Sequence, residues 1–182
     1  MNDPRHSRRG PRHYRTPDGD DRPRLTCPDC GYVAYENPRV VVASVAREGN
    51  RVLLCRRAIP PHIGYWCLPA GFLELHESAE EGACREAMEE AHADLELAGV
   101  LAVYSLAHIN QVQIVFSARL RVPTISPGPE SQDVALFHWH DIPWESLAFP
   151  SVRWALEHDR QAREHSVWAA AGNPEPARPL GE

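Results

Sequence analysis

Three glutamates lie close together on one face of a helix that the sequence predicts. Glu86, Glu89 and Glu90 are three and four residues apart, so on a helix they share one side. Like charges at this spacing destabilise a helix by about 0.2–0.5 kcal/mol per pair. A divalent cation such as Mg²⁺ or Mn²⁺ would neutralise them, because these ions prefer carboxylate, water and phosphate oxygens as ligands. The pattern therefore predicts a metal site that acts on a phosphate-containing molecule.

The surrounding residues predict the helix itself. Ser78 and Glu81 have the spacing of a capping box, so the helix is expected to begin at Ser78. A stripe of small residues recurs every four positions on another face: Ala79, Ala83, Ala87 and Ala91. Such a stripe lets the helix pack closely on a sheet, which turns the glutamates outward. Arg85 lies one turn from Glu81 and from Glu89, and we expect it to pair with both.

The stretch 71–93, GFLELHESAEEGACREAMEEAHA, resembles the Nudix box. The residues that match its pattern in register are Gly71, Glu77, Arg85, Glu86, Ala87, Glu89, Glu90 and Ala93. One position departs from the pattern, because His92 stands where the box has its late glycine. That glycine takes a left-handed conformation at the helix end, which histidine tolerates better than most residues but not freely. We therefore expect a slightly strained or altered helix exit with intact metal ligands.

The resemblance implies both a fold and a reaction. The fold is α/β: a Nudix α/β/α sandwich with a mixed β-sheet and a loop-helix-loop catalytic motif. The reaction is hydrolysis of a nucleoside diphosphate linked to another moiety, which releases a nucleoside monophosphate. The metal ligands implied are Glu86, Glu89, Glu90 and the carbonyl of Ala70, with Mg²⁺ or Mn²⁺ as the ion. The resemblance also implies a catalytic role for Glu89 and Glu90. Arg85 is included with them because it is implied to orient the carboxylates.

The general base has two sources in proteins of this kind, a box glutamate or a glutamate on a later loop. The segment PGPES supplies a loop before the last predicted strand, and Glu130 is its candidate base.

A wider resemblance covers residues 22–158 and concerns the substrate. The segments ENPRVVV, LPAGFLE, PGPES and DIPWESLAF are similar to a zinc-ribbon-preceded subgroup of Nudix enzymes that includes the plant chloroplast FAD and ADP-ribose pyrophosphatase. This implies FAD, ADP-ribose or an NADH-like molecule as substrate. Aromatic residues that are candidates for stacking on its base are Tyr65, Trp66, Tyr104, Phe137 and Trp144. The Ser-Gln-Pro-Trp-Pro-Phe-Pro signature of NADH pyrophosphatases and the proline that follows the box in many ADP-ribose pyrophosphatases are absent.

Two other functions remain open at this stage. The first is a nucleotide-sensing regulator that binds its ligand without turnover. Regulators of this kind often lose glutamates of the box, whereas this chain keeps all four: Glu77, Glu86, Glu89 and Glu90. The second is a housecleaning pyrophosphohydrolase of nucleoside triphosphates, which shares the chemistry but lacks the ribbon remnant and the PGPES loop.

The sequence Cys27-Pro-Asp-Cys30-Gly is half of a zinc ribbon, since a structural zinc site needs four ligands. No second cysteine pair lies upstream, where His6 and His13 are the only other soft ligands. Three interpretations stay open: a degenerate ribbon without zinc, a zinc site completed by these histidines or by a second copy of the chain, and a redox pair. Cys55, Cys67 and Cys84 are predicted to be core residues.

Composition bounds the class of protein. The chain has 182 residues, of which 43% are hydrophobic, and carries a net charge of −6 at a pI near 5.9. This charge argues against nucleic-acid binding and against a basic membrane-binding surface. No apolar run is long enough for a membrane span and no secretory signal precedes the domain, so we expect a cytoplasmic protein with a nucleotide-containing small-molecule substrate. A homodimer is a candidate assembly because dimers are common among similar proteins.

Charge and composition along the chain predict four segments. These are a disordered basic arm over 1–21, a zinc-ribbon remnant over 22–37, a Nudix hydrolase domain over 38–165 and a flexible tail rich in proline and alanine over 166–182. Strands are predicted at 39–47, 51–57, 64–68, 95–106, 111–121 and 134–140, and helices at 78–91 and 150–164. Asp141 is expected to cap a short helical turn that contains Pro143.

Overall fold

The computed structural model describes residues 10–163 and 168–174. Two compact units make up the chain, 1–38 and 39–182, and each is considered by itself. Predictions that fall on residues 1–9, 164–167 and 175–182, including any role for His6, lie outside the described residues. Among those described, neither helix is long and apolar enough to cross a membrane.

The first unit contains a small antiparallel sheet. Its strands are β1 (His13–Arg15), β2 (Arg24–Thr26) and β3 (Val33–Ala34), in the order β1-β2-β3. The buried Thr26 hydroxyl donates to the His13 carbonyl at 2.9 Å, which ties β1 to β2. β1 lies within the predicted basic arm of 1–21, where its exposed residues are held as a strand by pairing with β2.

The second unit is built on a mixed sheet. Its strands are β4 (Arg39–Glu48), β5 (Arg51–Arg57), β6 (Trp66–Cys67), β7 (Ala70–Phe72), β8 (Leu95–Leu106), β9 (Gln111–Leu120) and β10 (Ser131–His138). The main order is β10-β5-β4-β9-β8, and β6 and β7 pair with β5 and β4. Among these strands of the described residues, β4 and β9 pair in parallel and the other pairs are antiparallel. The helices are α1 (Ala79–Ala91) and α2 (Pro150–Ala162).

Alternation along β4 separates the two faces of this sheet. Val42 packs with Ala83 of α1 and with Phe116 of β9. Ala43 faces the opposite side, where it lines a cavity with Val152 of α2. The sheet therefore lies between two helices, which confirms the α/β/α sandwich with a mixed sheet.

Most of the predicted elements are present, with differences at three places. β7 was not predicted, because Ala-Gly-Phe has no strand periodicity and pairs only through its register with β4. β10 begins at Ser131, three residues earlier than predicted at its N-terminal end. Asp141 does not cap a turn: it ends the 3₁₀ turn Trp139–Asp141, and the next turn, Trp144–Ser146, has Pro143 at its N-cap without a side-chain bond.

The part of the C-terminal tail that is described, 168–174, pairs with the edge of β8. The Ala171 N–H donates to the Leu101 carbonyl, and the Val103 N–H donates to the Ala171 carbonyl, both at 2.9 Å. The Trp168 indole N–H donates to the Val100 carbonyl at 3.0 Å. Residues 168–174 of the predicted tail are thus held by hydrogen bonds to β8, because an edge strand offers backbone partners that composition does not reveal.

Candidate active site

Helix α1 has the boundaries and the caps that its sequence predicts. The Ser78 hydroxyl accepts from the Glu81 N–H at 3.2 Å, and the Glu81 carboxylate accepts from the Ser78 N–H at 2.7 Å. At the other end, His92 adopts the left-handed conformation, with φ 46° and ψ 36°. The capping box is confirmed, and His92 takes the conformation that the glycine of the box would have at this helix end.

Arg85 organises the acidic side chains along the helix. Its guanidinium donates to Glu77 at 2.8 and 2.9 Å, to Glu86 Oε1 at 2.8 Å and to Glu89 Oε2 at 3.0 Å. These bonds raise the pKa of Arg85, and the bond from Arg85 is the main cause that lowers the pKa of Glu77 to about 2. The expected pair with Glu89 is confirmed, whereas a pair with Glu81 is wrong because the Glu81 carboxylate serves the capping box.

Gly71 and Glu86 are in close contact. A Cβ at position 71 would overlap the Glu86 carboxylate, so only glycine leaves this carboxylate where it stands. Burial raises the pKa of Glu86, and the neighbouring charges of Glu89 and Glu130 raise it further, while Arg85 opposes them.

Glu90 is the most buried of the glutamates that match the Nudix box, with 7% of its surface exposed. Its Oε2 accepts from the Ala70 N–H at 3.1 Å. Burial raises the pKa of Glu90 to about 8, against the lowering effects of that hydrogen bond and of Arg57. In the antiparallel pairing of β7 with β4, Gly71 and Val42 form a hydrogen-bonded pair, and such pairs alternate with pairs that make no hydrogen bond. The N–H and C=O of the neighbouring Ala70 therefore point away from β4, on the side where Glu90 lies.

A divalent metal fits the chemistry of this donor set. Glu86 and Glu90 offer hard oxygen donors whose negative charges are compensated only in part, and the Ala70 carbonyl lies on the same edge. Within the described residues no three acidic, histidine or cysteine side chains converge on one point, because Arg85 draws the carboxylates of Glu86 and Glu89 toward itself. A metal ion held by Glu86 and Glu89 together would require a change of rotamer in these two long side chains.

A cavity of about 510 Å³ opens on the opposite side of β7 from the carboxylates. Ala70 and Gly71 form part of its wall, and three aromatic side chains line it: Phe72, Phe149 and Trp154. Phe72 is 48% exposed, with the Arg39 guanidinium 4.8 Å from its ring centre. Arg57 lies over Phe149 at 5.3 Å, and the polar residues of the wall include Gln111 and Gln113.

The aromatic residues singled out in the sequence do not line this cavity. Tyr104 is fully buried, and its hydroxyl lies 2.7 Å from His158 Nδ1. Trp66 packs edge-on against Phe137, Trp144 packs against Trp139, and Tyr65 contacts His62. Sequence reasoning missed Phe72, although it directly follows the matched Gly71, and it missed Phe149 and Trp154 because only the fold brings α2 to this face.

Glu130 lies on a loop that crosses the C-terminal end of α1. The Ser126 N–H donates to the Ala91 carbonyl and the Gly128 N–H to the Glu90 carbonyl, each at 3.0 Å. On its other side, the Ala58 N–H donates to the Glu130 carbonyl at 2.8 Å. The Glu130 carboxylate is exposed, and its charge is among the causes that raise the pKa of Glu86 and of Glu90, as expected of a neighbour.

The two cysteines of the first unit do not make a complete zinc site with the other described residues. Cys27 is buried, Cys30 is exposed, and both are free thiols. Beside them, Arg12 makes a two-point ion pair with Asp29, at 2.8 and 3.1 Å. The Cys27 thiol donates to the Asp29 carboxylate at 3.9 Å, but two thiols fall short of the four ligands that tetrahedral zinc needs. In the described part of the chain, no three acidic, histidine or cysteine side chains are arranged to hold a metal ion. Cys55 and Cys67 lie in the core as predicted, and Cys84 packs against it.

Comparisons with known proteins agree with this geometry. The model of the NUDIX domain matches residues 36–156, and a Nudix N-terminal model of the zinc-ribbon type matches 10–36. A solved NUDIX hydrolase from Nitrosomonas europaea is 43% identical and superposes with a TM-score of 0.83, covering 88% of this chain and 92% of that one.

Two curated relatives extend the comparison. An ADP-ribose pyrophosphatase from Methanocaldococcus jannaschii is 27% identical over 143 residues, which are 75% of this chain and 78% of the relative. An NAD-capped RNA hydrolase NudC from Stutzerimonas stutzeri is 27% identical over 158 residues, 85% of this chain but 54% of that protein. The chain thus spans about half the length of this second relative.

Proposed function

Because the chain belongs to the Nudix hydrolase family, we propose that it hydrolyses a nucleoside diphosphate linked to a second group and releases a nucleoside monophosphate. ADP-ribose is the leading substrate, and FAD and NADH-like molecules are the next to test. The name of the Methanocaldococcus jannaschii relative supports the first choice. We place this activity in the cytoplasm.

One observation carries the proposal: β7 has an aromatic cavity on one side and the carboxylates on the other. Ala70 and Gly71 line the cavity, while the Ala70 N–H bonds to Glu90 and Gly71 lies against Glu86. If the nucleotide base of the substrate binds beside Phe72, its diphosphate would extend along β7 toward the glutamates. A mostly apolar cavity with a few polar groups is the usual form of such a ligand site.

The residues of the chain divide the reaction among them. Glu86, Glu89, Glu90 and the Ala70 carbonyl would bind Mg²⁺ or Mn²⁺, which supplies positive charge to offset that of the diphosphate. Arg85 would hold the carboxylates of Glu86 and Glu89 while no metal ion is bound, and release them when one binds. Glu130 would take a proton from the attacking water. At the same time the oxygen of that water would bond to one phosphorus, and the anhydride P–O bond would break. The leaving phosphate departs with the bonding electrons.

The cation of Arg57 is well placed to attract the diphosphate. Its guanidinium bonds only to backbone carbonyls and a thiol among the described residues: Pro60 and Pro61 at 3.2 and 2.8 Å, and Cys67 at 4.0 Å. It lines the cavity and acts electrostatically on Glu90. A positive charge without a carboxylate partner at this point favours an anionic ligand.

The test is release of nucleoside monophosphate, followed by chromatography, from ADP-ribose, FAD, NADH, a sugar nucleotide and a nucleoside triphosphate. Each is incubated with Mg²⁺ and with Mn²⁺, beside Glu89→Gln and Glu90→Gln. Metal-dependent turnover of ADP-ribose or FAD that both variants lose supports the proposal. Preference for the triphosphate supports a housecleaning enzyme instead. Binding of one compound without any turnover supports a nucleotide sensor.

A further inference from the structure

The residue that departs from the Nudix box makes a contact outside the helix it ends. His92 Nδ1 lies 3.0 Å from the Ser126 carbonyl oxygen and 3.1 Å from Ser126 Oγ. In one tautomer Nδ1–H donates to the carbonyl, and in the other Nδ1 accepts from the hydroxyl, so either form joins His92 to Ser126. The glycine that the box pattern has at this position offers no side chain for such a bond.

Ser126 begins the loop that carries Glu130, here called the base loop and defined as 126–131. Its backbone satisfies the last carbonyls of α1, through Ser126 N–H to Ala91 and Gly128 N–H to Glu90. Gly128 lies so near the helix that a Cβ would overlap the Glu89 carbonyl oxygen. The turn then closes with the Ser131 N–H on the Gly128 carbonyl at 3.0 Å. The base loop is therefore seated on the same helix turn that supplies Glu89 and Glu90.

We propose that His92 is a positioning residue, which ties the base loop to the end of α1 and so holds Glu130 beside the glutamate cluster. This inference rests on the proposed role of Glu130 as general base. A histidine with φ of 46° carries a conformational cost that a glycine would avoid, and the hydrogen bond with Ser126 that either tautomer makes offsets it. The departure from the box pattern thus has a mechanical use in this chain.

The test compares His92→Gly, Glu130→Gln and the double variant. Glycine tolerates the left-handed helix end, so His92→Gly keeps the fold while it removes the tie. We expect kcat to fall about tenfold in His92→Gly with KM changed by less than about twofold, and to fall about 100-fold in Glu130→Gln. Since His92 acts through Glu130, the double variant should be no slower than Glu130→Gln alone.

His76→Gly is the matched control. His76 also has a positive φ, of 70°, but it is exposed and makes no hydrogen bond in the described part of the chain. The His76→Gly variant should retain the kcat of the wild type. A wild-type kcat in His92→Gly, losses that multiply in the double variant, or an unchanged kcat in Glu130→Gln would each overturn the positioning role.

Amide hydrogen exchange gives a measurement that does not depend on turnover. His92→Gly should speed exchange at Gly128, whose N–H bonds to the Glu90 carbonyl, while His76→Gly should not. If the wild type turns over no substrate, the proposed function fails, and this exchange still decides whether His92 fastens the loop. Equal exchange at Gly128 in His92→Gly and wild type would overturn the inference.

Discussion

Gly71 lies against the carboxylate of Glu86, at a distance that leaves no room for a Cβ. The two residues are 15 positions apart in the sequence, on β7 and α1. Their contact joins the wall of the cavity to the carboxylate cluster, so a change at Gly71 displaces a proposed metal ligand without changing its chemistry.

Gly71→Ala should therefore weaken metal binding while the protein stays folded. The Glu86 carboxylate is the far end of a flexible side chain, so it can swing away at little cost in stability. We expect the dissociation constant for Mn²⁺, measured by electron paramagnetic resonance, to rise about tenfold. Gly172→Ala is the control, because nothing lies within 4 Å of a Cβ there. Unchanged Mn²⁺ affinity in Gly71→Ala would mean that Glu86 is not a ligand.

The raised pKa of Glu90 predicts how the stability of the metal-free protein depends on pH. Burial raises this pKa to about 8 in the folded state, so between the pKa of the unfolded chain and pH 8 the folded protein binds the extra proton. The free energy of unfolding should then fall as pH rises through this range. Thermal unfolding in EDTA should show a Tm that decreases from pH 6 to pH 8.5, and Glu90→Gln should flatten that decrease.

The same proton competes with the metal. Since the ligand must be ionised to bind a cation, the rise in Tm on adding Mg²⁺ should be larger at pH 8.5 than at pH 6. An equal rise at both values, or a larger one at pH 6, would show that Glu90 does not bind the ion.

Phe72 is expected to support the base of the substrate. Phe72→Ala should raise KM for ADP-ribose about tenfold with little change in kcat, because stacking on a base is worth about 1–3 kcal/mol. Steady-state kinetics measure both constants. Tyr65→Ala is the comparison, since Tyr65 is exposed to a similar degree, 43%, but does not line the cavity. A larger KM effect at Tyr65 would restore the assignment made from the sequence.

Asp159 of α2 is buried in an ion-pair cluster remote from the reaction. Only 1% of it is exposed, and it pairs with Arg163 at 3.0 Å and with Arg47 at 3.4 Å. Asp159→Asn should lower the free energy of unfolding by about 1–3 kcal/mol, because it leaves the half-buried guanidinium of Arg47 without its opposite charge. Asp94→Asn, which breaks an exposed pair with Arg121, should cost less than about 1 kcal/mol in the same denaturant titration. Near-equal losses would contradict the role given to burial.

The sequence predicted those features that rest on local spacing. Residues one or two turns apart were enough to predict the capping box of Ser78 and the glutamate face of α1. The composition of each strand and its flanking turn was enough to predict the bounds of β5 and β8. The metal ligands, the catalytic role of Glu130 and the division into segments stay predictions.

Features that depend on distant partners could not be foreseen. β7 is a strand only because β4 offers it backbone partners, and the cavity takes Phe149 and Trp154 from a helix far along the chain. The contact of His92 with Ser126 spans 34 residues. In each case the residue types give no periodic signal, and the fold alone brings them together.

The role of Glu90 in metal-dependent hydrolysis is tested most directly by measuring ADP-ribose hydrolysis against Mg²⁺ concentration in the wild type and in Glu90→Gln. We expect AMP release to rise with Mg²⁺ in the wild type, and kcat/KM to be at least about 1,000-fold lower in the variant. AMP release at the same rate in both proteins would contradict it, because the buried carboxylate beside β7 would then have no part in the reaction.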